Sequence, residues 1–565
     1  MRLGIDPLSL LFLCILAPQI VAGAVAFEWR SAGFWACVLG MVLALLAADA
    51  FALIFGFELM SIACWLLAPR GGAGGGAWSA PFQAAIAAFS TACLVPAVFL
   101  PAGDAAFALV LLGALSTGVL NPGILNPGTL NPGTLNPGTL NPGMLLSPKD
   151  RLPQAPPAPS PGVLALMSGG RMTVAFYIVI RYGFVVDAGA IAPWWGAVLL
   201  AGGTAAALLG ALRATLEVEL DNVLAGASLA QAGLIAVGLG VGLEARTMDD
   251  PALGALALEG ALLLALAQAL IMPLLLLGAG AVRAGTGTTS LDWLGGLLRG
   301  MPRLGLMLLA GVAGLAAIPL FPGFAPAFLL WHALIAAAGS GGAFASLGYA
   351  AVLGLLGLGA GMMLAASVRI IGIGFLGRPR TLRAAAAGEA ETPVLLGMAL
   401  LAVPSIPVAL APAALLRAMA PVLAMLIPGG QIQPLAYAPL PLALLMLALT
   451  GIAFLILRRF GIRAEHEAAG WNGGLGKPPA WLPFGDPLTQ PSATGFAEPV
   501  ARALGGLLPL KAAPGAPFPS SMSRWPDRRL IRLAMRLRHA ASRWRLGVVL
   551  AAVAAALLAL GLQGG

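Results

Sequence analysis

Lysine is almost missing from this 565-residue chain: Lys149, Lys477 and Lys511 stand against 28 arginines. Charge of either sign is scarce at 9% of residues, and histidine occurs three times. Soluble domains carry ~25% charged and ~45–50% apolar residues. Here 59% are apolar and the mean hydropathy is +0.94, which excludes a water-facing globule. Disorder is excluded too, because disordered chains are poor in apolar residues. What remains is an all-α, polytopic membrane protein. A span takes about 20 apolar residues, so the length accommodates about 14 transmembrane helices.

Cysteine is equally sparing. Cys14, Cys37, Cys64 and Cys93 all lie in apolar runs, with no CxxC or Cys/His spacing. They read as small membrane-buried side chains, without a disulfide framework, iron–sulfur cluster or metal site. No P-loop or dinucleotide fingerprint occurs, and no histidine pair at haem-ligand spacing. The chain is therefore expected to carry no cofactor and no redox centre of its own. The net charge of +9 does not point to nucleic acid, because the basic residues cluster between apolar spans as topology determinants do. The first apolar run lacks a basic leader beyond Arg2 and a clear cleavage site, and is read as a span.

Apolar windows fall near 7–26, 33–48, 50–68, 82–100, 104–120, 162–185, 192–213, 222–243 and 252–281, then 303–340, 345–374, 393–425, 436–459 and 545–563. The 303–340 window would reach ~57 Å as one straight helix. It carries Pro319, Pro322 and Pro326 around Gly323, so a broken helix or two helices both fit. Arginines decide. Basic loops follow the third span (Arg70), the fifth (Lys149, Arg151), the seventh (Arg213) and the ninth (Arg283, Arg299, Arg303). Others follow the eleventh (Arg378, Arg380, Arg383) and the thirteenth (Arg458, Arg459, Arg463), while the intervening loops are acidic or mixed. The alternation places these basic loops in the cytoplasm, provided 303–340 crosses once as a discontinuous helix.

This organises the chain as N-terminal helices (1–120), an insertion (121–161), a transmembrane core (162–460), a loop with a basic amphipathic segment (461–544) and a last span (545–565). The insertion repeats Asn-Pro-Gly every five residues from Asn121, then runs into PQAPPAPSP. Neither Pro nor Gly continues a helix, so it reads as an expanded low-complexity insertion, with a spacer or binding loop as the alternative. The segment MSRWPDRRLIRLAMRLRHAASRWR reads as an interfacial helix, with partner docking as the alternative.

Charges in hydrocarbon are costly, so buried ones are functional candidates. Glu58 lies at the heart of the third span, Asp49 near its start, Glu259 inside the ninth and His332 after the proline breaks. Carboxyl groups in low dielectric hold protons nearer neutral pH, and histidine does so unaided. Pairing with Arg171, Arg181 or Arg369 for packing, or snorkelling, is the plainer reading.

Several motifs together resemble a known family. GFELMSIACWLL resembles the signature of the antiporter-like membrane subunits of respiratory complex I, Mrp antiporters and membrane-bound hydrogenases. SPGVLALMSGGRMTVAFYIVIRYGF, LLLLGAGAV, IPLFPGF and IGIGFLGRPR are similar to further family segments. WNGGLG and ATGFAEP resemble the tail of the hydrogenase 4 and formate hydrogenlyase branch. LGIDPLSLLFL resembles the family's third helix, implying that two preceding helices are absent here. The resemblance implies a proton path through a glutamate, several lysines or histidines, and a terminal ionisable group. Only the glutamate carries over, as Glu58. The lysine positions fall near Ser116 and near Thr173 with Arg171 beside it, and the next ionisable positions read Gln268 and Met272. SSIEN has become ASLAQ with Gln231, the position after NGF reads Ala327, and Arg369 stands at a late basic position.

Ser, Thr and Gln order water but hold no charge, and arginine does not release its proton near neutral pH. The resemblance therefore implies a proton-translocating subunit of a hydrogenase-type or NADH:quinone oxidoreductase-like complex in a bacterial inner membrane. Its implied partners are lipid, other membrane and redox-arm subunits, and protons or Na+. The lost lysines point to a rival, a structural subunit that no longer conducts. A stand-alone ion transporter is a third reading.

Overall fold

The computed structural model describes all residues except 1, 29–30, 68–78, 102, 120–160, 187–191, 341, 433–437, 461–491 and 506–565. The Asn-Pro-Gly insertion, the WNGGLG motif, the whole basic segment and the last expected span lie outside them. The chain divides into two units, Met1–Ala503 and Leu504–Gly565. All that follows concerns the first.

Its helices are α1 (Pro7–Gly23), α2 (Ala32–Leu46), α3 (Ala50–Leu67), α4 (Ser79–Phe99), α5 (Asp104–Val119) and α6 (Pro161–Ile180). There follow α7 (Pro193–Leu216), α8 (Leu220–Thr247), α9 (Pro251–Thr286), α10 (Leu297–Gly300), α11 (Pro302–Leu315) and α12 (Phe324–Ser340). The remainder are α13 (Ala343–Arg369), α14 (Leu382–Ala386), α15 (Thr392–Leu410), α16 (Pro412–Leu426), α17 (Pro439–Phe460) and α18 (Ala493–Gly505). Among the described residues, nine are long and apolar enough to cross a membrane, and six shorter apolar helices accompany them.

Helix starts follow local chemistry. Asp6 accepts from the Ser9 amide at 2.7 Å ahead of Pro7, and Asp250 accepts from the Ala252 and Leu253 amides at 3.1 and 3.0 Å ahead of Pro251. Each pairs a capping oxygen with proline, whose missing N–H costs nothing at a first turn. Gly287, at φ +74°, ends α9. The 303–340 segment breaks between α11 and α12, where Ala317 and Leu320 adopt φ of 49° and 71°. A Cβ on Gly323 would lie 1.9 Å from the Gly314 carbonyl oxygen, so the chain doubles back too tightly there for any other residue. The 393–425 window also breaks, at Ala411 between α15 and α16.

Small residues set the closest packing. On α7, Gly196, Gly203 and Gly210 recur every seventh residue and meet Gly240, Gly233 and Gly226 of α8. A Cβ at Gly210 would fall 2.3 Å from the Ala230 nitrogen, and one at Gly233 the same distance from the Ala207 nitrogen. Close backbone approach through small residues is how helices associate where lipid removes the hydrophobic drive. α2 and α3 repeat the device at Gly40 and Gly56.

Loop contacts sort the helix ends into two sets. At one end Arg181 pairs with Asp6, the Trp195 indole donates to Asp104 at 2.7 Å, Arg246 donates to the Phe184 carbonyl at 2.8 Å, and Tyr349 donates to Glu244. At the other end Arg283 pairs with Asp221, Leu220 and Thr289 bond through their backbones at 2.9 Å, and Gly296 donates to Leu376 at 3.0 Å. The second end holds the arginine-bearing loops after α7, α9 and α13. Because α11 starts there and α13 starts at the opposite end, the broken α11–α12 segment traverses the bundle once. For the loops after α7, α9 and α13, the basic residues thus share one end, as the charge pattern of those spans requires.

Candidate proton-transfer site

Glu58 sits midway along α3, half-buried, and its carboxylate accepts a hydrogen bond from the Thr91 hydroxyl of α4. Thr91 also lies 3.0 Å from the Ala87 carbonyl. At the end carrying Asp49 lies a cavity of ≈ 260 Å³, lined by Asp49, Leu53, Ala97, Tyr177 and Arg181 among others. Its walls at Leu53 and Ala97 are five and six residues along α3 and α4 from Glu58 and Thr91. That distance is about 8–9 Å of helix.

Asp49 takes no part in that carboxylate pair. It caps α3, accepting from the Ala52 amide at 2.6 Å and the Arg2 amide at 2.5 Å. Burial pushes its pKa up, but the two amides outweigh it and hold the carboxyl below its ordinary value. Asp49 is therefore a fixed anion at neutral pH, suited to a helix start.

A second polar group lies where α1, α6, α8 and α9 meet. Gln19 Nε2 donates to Thr173 Oγ1 at 3.3 Å and to the Ile15 carbonyl at 3.1 Å. Thr173 donates to the Gly169 carbonyl at 2.9 Å, and Gln268 Nε2 donates to Met172 Sδ at 2.7 Å. Thr173, Ser228 and Gln268 line a cavity of ≈ 20 Å³, room for one water. The Gln19 and Gln268 carbonyl oxygens and the Ser228 hydroxyl have no protein partner within the described residues. Every group lining this pocket is neutral. Gly169 is small of necessity, since a Cβ there would fall 2.3 Å from Gln19 Oε1.

The other expected residues are scattered. Glu259 is fully buried in α9, on the stretch where Gly260 packs against Leu329 and Leu330 of α12. His332 is exposed on α12, its Nδ1 2.9 Å from the Phe328 carbonyl and its ring against Phe328. Arg171 is buried on α6 beside Thr173. Ser116 lies on α5, its side chain outside the described ones. Arg369, also buried, closes the end of α7: its guanidinium donates to the carbonyls of Ala214 at 2.8 Å, Thr215 at 2.6 Å and Glu217. It reaches the Ala493 carbonyl at 3.5 Å, while Asp292 accepts from the Ala493 amide and the Thr494 hydroxyl, both at 2.5 Å. The ATGFAEP segment is thereby pinned to the arginine-rich end. Beside it, burial raises the carboxyl pKa of Glu217 despite Arg213 and Asn222, and that of Glu219 despite Thr289 and Arg283.

Three contributors had no charge to reveal them. Thr91, Gln19 and Ser228 are neutral polar residues in apolar runs. Ser228 lies within the ASLAQ segment, the one signal that could have found it.

Comparison with known proteins agrees with this architecture. Residues 152–353 match the family described as NADH:quinone oxidoreductase/Mrp antiporter, TM. The chain is 31% identical over 252 residues to hydrogenase-4 component B of Escherichia coli, covering 44% of this chain and 38% of that protein. It is 34% identical over 232 residues to formate hydrogenlyase subunit 3 of the same organism, covering 41% of this chain and 38% of that one. The chain spans less than two thirds of the length of the curated relatives it matches. Its fold resembles a chain of the membrane-bound sulfane sulfur reductase, an archaeal respiratory membrane complex. There the TM-score is 0.67 at 18% identity, covering 98% of this chain and 89% of that one. Through residues 152–353 the chain is thus similar to the NADH:quinone oxidoreductase/Mrp antiporter family, and it is a multi-pass bundle of apolar helices with the fold of that membrane-complex chain.

Proposed function

We propose that this protein is a proton-translocating, antiporter-like subunit of a multisubunit membrane oxidoreductase of the hydrogenase or NADH:quinone type, in a bacterial inner membrane. The observation that carries the reading is Glu58 hydrogen-bonded to Thr91, about 8–9 Å of helix from the wall of a cavity large enough for several waters. A carboxylate between two apolar helices is costly to keep unless it works, and a water-sized approach from the Asp49 end supplies protons to it or removes them. Redox chemistry belongs to partner subunits. Other membrane and redox-arm subunits and lipid are the partners, and H+ is the coupled ion, with Na+ the alternative.

The neutral pocket at Thr173, Ser228 and Gln268 favours a second reading, a structural subunit that no longer conducts, because none of these groups stores a proton. Purification of the full chain with its native partners, reconstituted into liposomes holding a pH-sensitive dye, separates the two. Acidification or alkalinisation driven by the partners' electron donor supports translocation. A complex that turns over normally without moving protons, and moves them no differently when this subunit is deleted, supports the structural role.

A further inference from the structure

We propose that Cys37 and Cys64 are a reversible dithiol–disulfide pair that staples α2 to α3 inside the membrane. Both thiols are buried, at 0% and 1% exposure, on facing helices, and their sulfurs lie 3.3 Å apart. Non-bonded carbons pack no closer than ~3.5 Å, so these two side chains are aimed at one another. The backbones allow the bond. A Cβ on Gly40 would fall 2.3 Å from the Met60 nitrogen, and one on Gly56 would fall 2.5 Å from the Ala44 nitrogen. The antiparallel register that pairs 40 with 60 and 44 with 56 sets 37 opposite 64, one turn from the closest approach. Facing positions on helices this close fall in the ~4.4–6.8 Å Cα range that a disulfide spans.

A third group supplies the chemistry. Arg171 of α6, 1% exposed, adjoins Gly170, which seats against Met41 of α2. Arginine keeps its charge when buried, and the thiolate is the reacting species in thiol–disulfide chemistry. This contrasts with Cys14, exposed on α1, and Cys93, buried on α4, neither of which has a sulfur partner among the described residues.

In oxidation the two S–H bonds break and one S–S bond forms, releasing two protons and two electrons. A lipid-soluble quinone accepts them at its two carbonyl oxygens and becomes a quinol. A thiol reductant reverses the step. The staple fixes α3 against α2 six residues, about 9 Å of helix, from Glu58.

The test uses the full chain in native membranes, oxidised with a fully substituted benzoquinone, which cannot add to thiols. Samples are then denatured, and free cysteines are counted by maleimide–polyethylene glycol gel shift. The expected counts are four labels after reduction and two after oxidation. Peptide mass spectrometry should show Cys37 joined to Cys64. In Cys37→Ser the count should stay at three in both states. A Cys14→Ser/Cys93→Ser chain, which leaves the pair untouched, should go from two labels to none. Four labels persisting after oxidation in the native chain, or two labels persisting in the double variant, overturns the proposal, as does a bond to Cys14 or Cys93. None of these readouts depends on proton movement.

Discussion

The α3–α4 contact and the α1/α6/α8/α9 pocket are both polar spots inside apolar helices, yet only one holds a group that titrates. At the first, Glu58 has one hydroxyl partner, Thr91, and a cavity nearby. At the second, Thr173, Ser228 and Gln268 line room for one water, Gln19 bonds to Thr173, and Arg171 is the nearest charge in sequence. On the proposed reading, the first binds and releases a proton. The second orders hydrogen bonds across which a proton passes only in transit. What separates them is where protonation changes can occur, and on the proposed reading Glu58 is the control point.

The largest expected effect comes from Glu58→Gln, which keeps the shape and the Thr91 contact but removes the exchangeable charge. Groups that transfer protons contribute ~10²–10⁴-fold to rates, so proton flux through the assembled protein should fall at least ~100-fold. Next is Arg369→Met. It deprives the α7 carbonyls of a buried charged donor, at a cost of about 3 kcal/mol, and should lower the midpoint of thermal unfolding in nanodiscs. Arg369→Lys should recover only part of it, because an ammonium lacks the planar fork that spans three carbonyls.

Asp49→Ala should cost about 1 kcal/mol, the usual worth of an N-cap, and leave flux unchanged. Its pH dependence has a definite sign. The folded pKa is lowered, so the stabilisation is fully present above the unfolded value of about 3.9 and disappears as pH falls through the folded one. Unfolding midpoints of wild type and Asp49→Ala should therefore converge in acid. The smallest effect belongs to Thr91→Val, which removes one hydrogen bond of about 1 kcal/mol and should slow flux by only a few fold.

Much of this was legible in the sequence, and for identifiable reasons. Apolar windows located the helices because hydrocarbon demands length. The prolines around Gly323 located the break between α11 and α12, and the arginine loops predicted the ends that α7, α9 and α13 share. Glu58 stood out because a charge in such a run is rare. The seven-residue glycine spacing of α7 and α8 was equally open to reading. Other features were hidden by distance: Gln19 meets Thr173 across 154 residues, and Arg369 meets the α7 carbonyls across 152 to 155. No local pattern encodes contacts of that range. Asp49 passed for a buried acid because its capping role depends on backbone geometry at the α2–α3 turn.

The most direct measurement compares Glu58→Gln with Gln268→Leu in the same proteoliposomes, at matched assembly and matched electron-donor turnover. Flux should collapse to the background of protein-free liposomes in Glu58→Gln and fall only a few fold in Gln268→Leu. Wild-type flux from Glu58→Gln would contradict the assignment of proton control to that carboxylate.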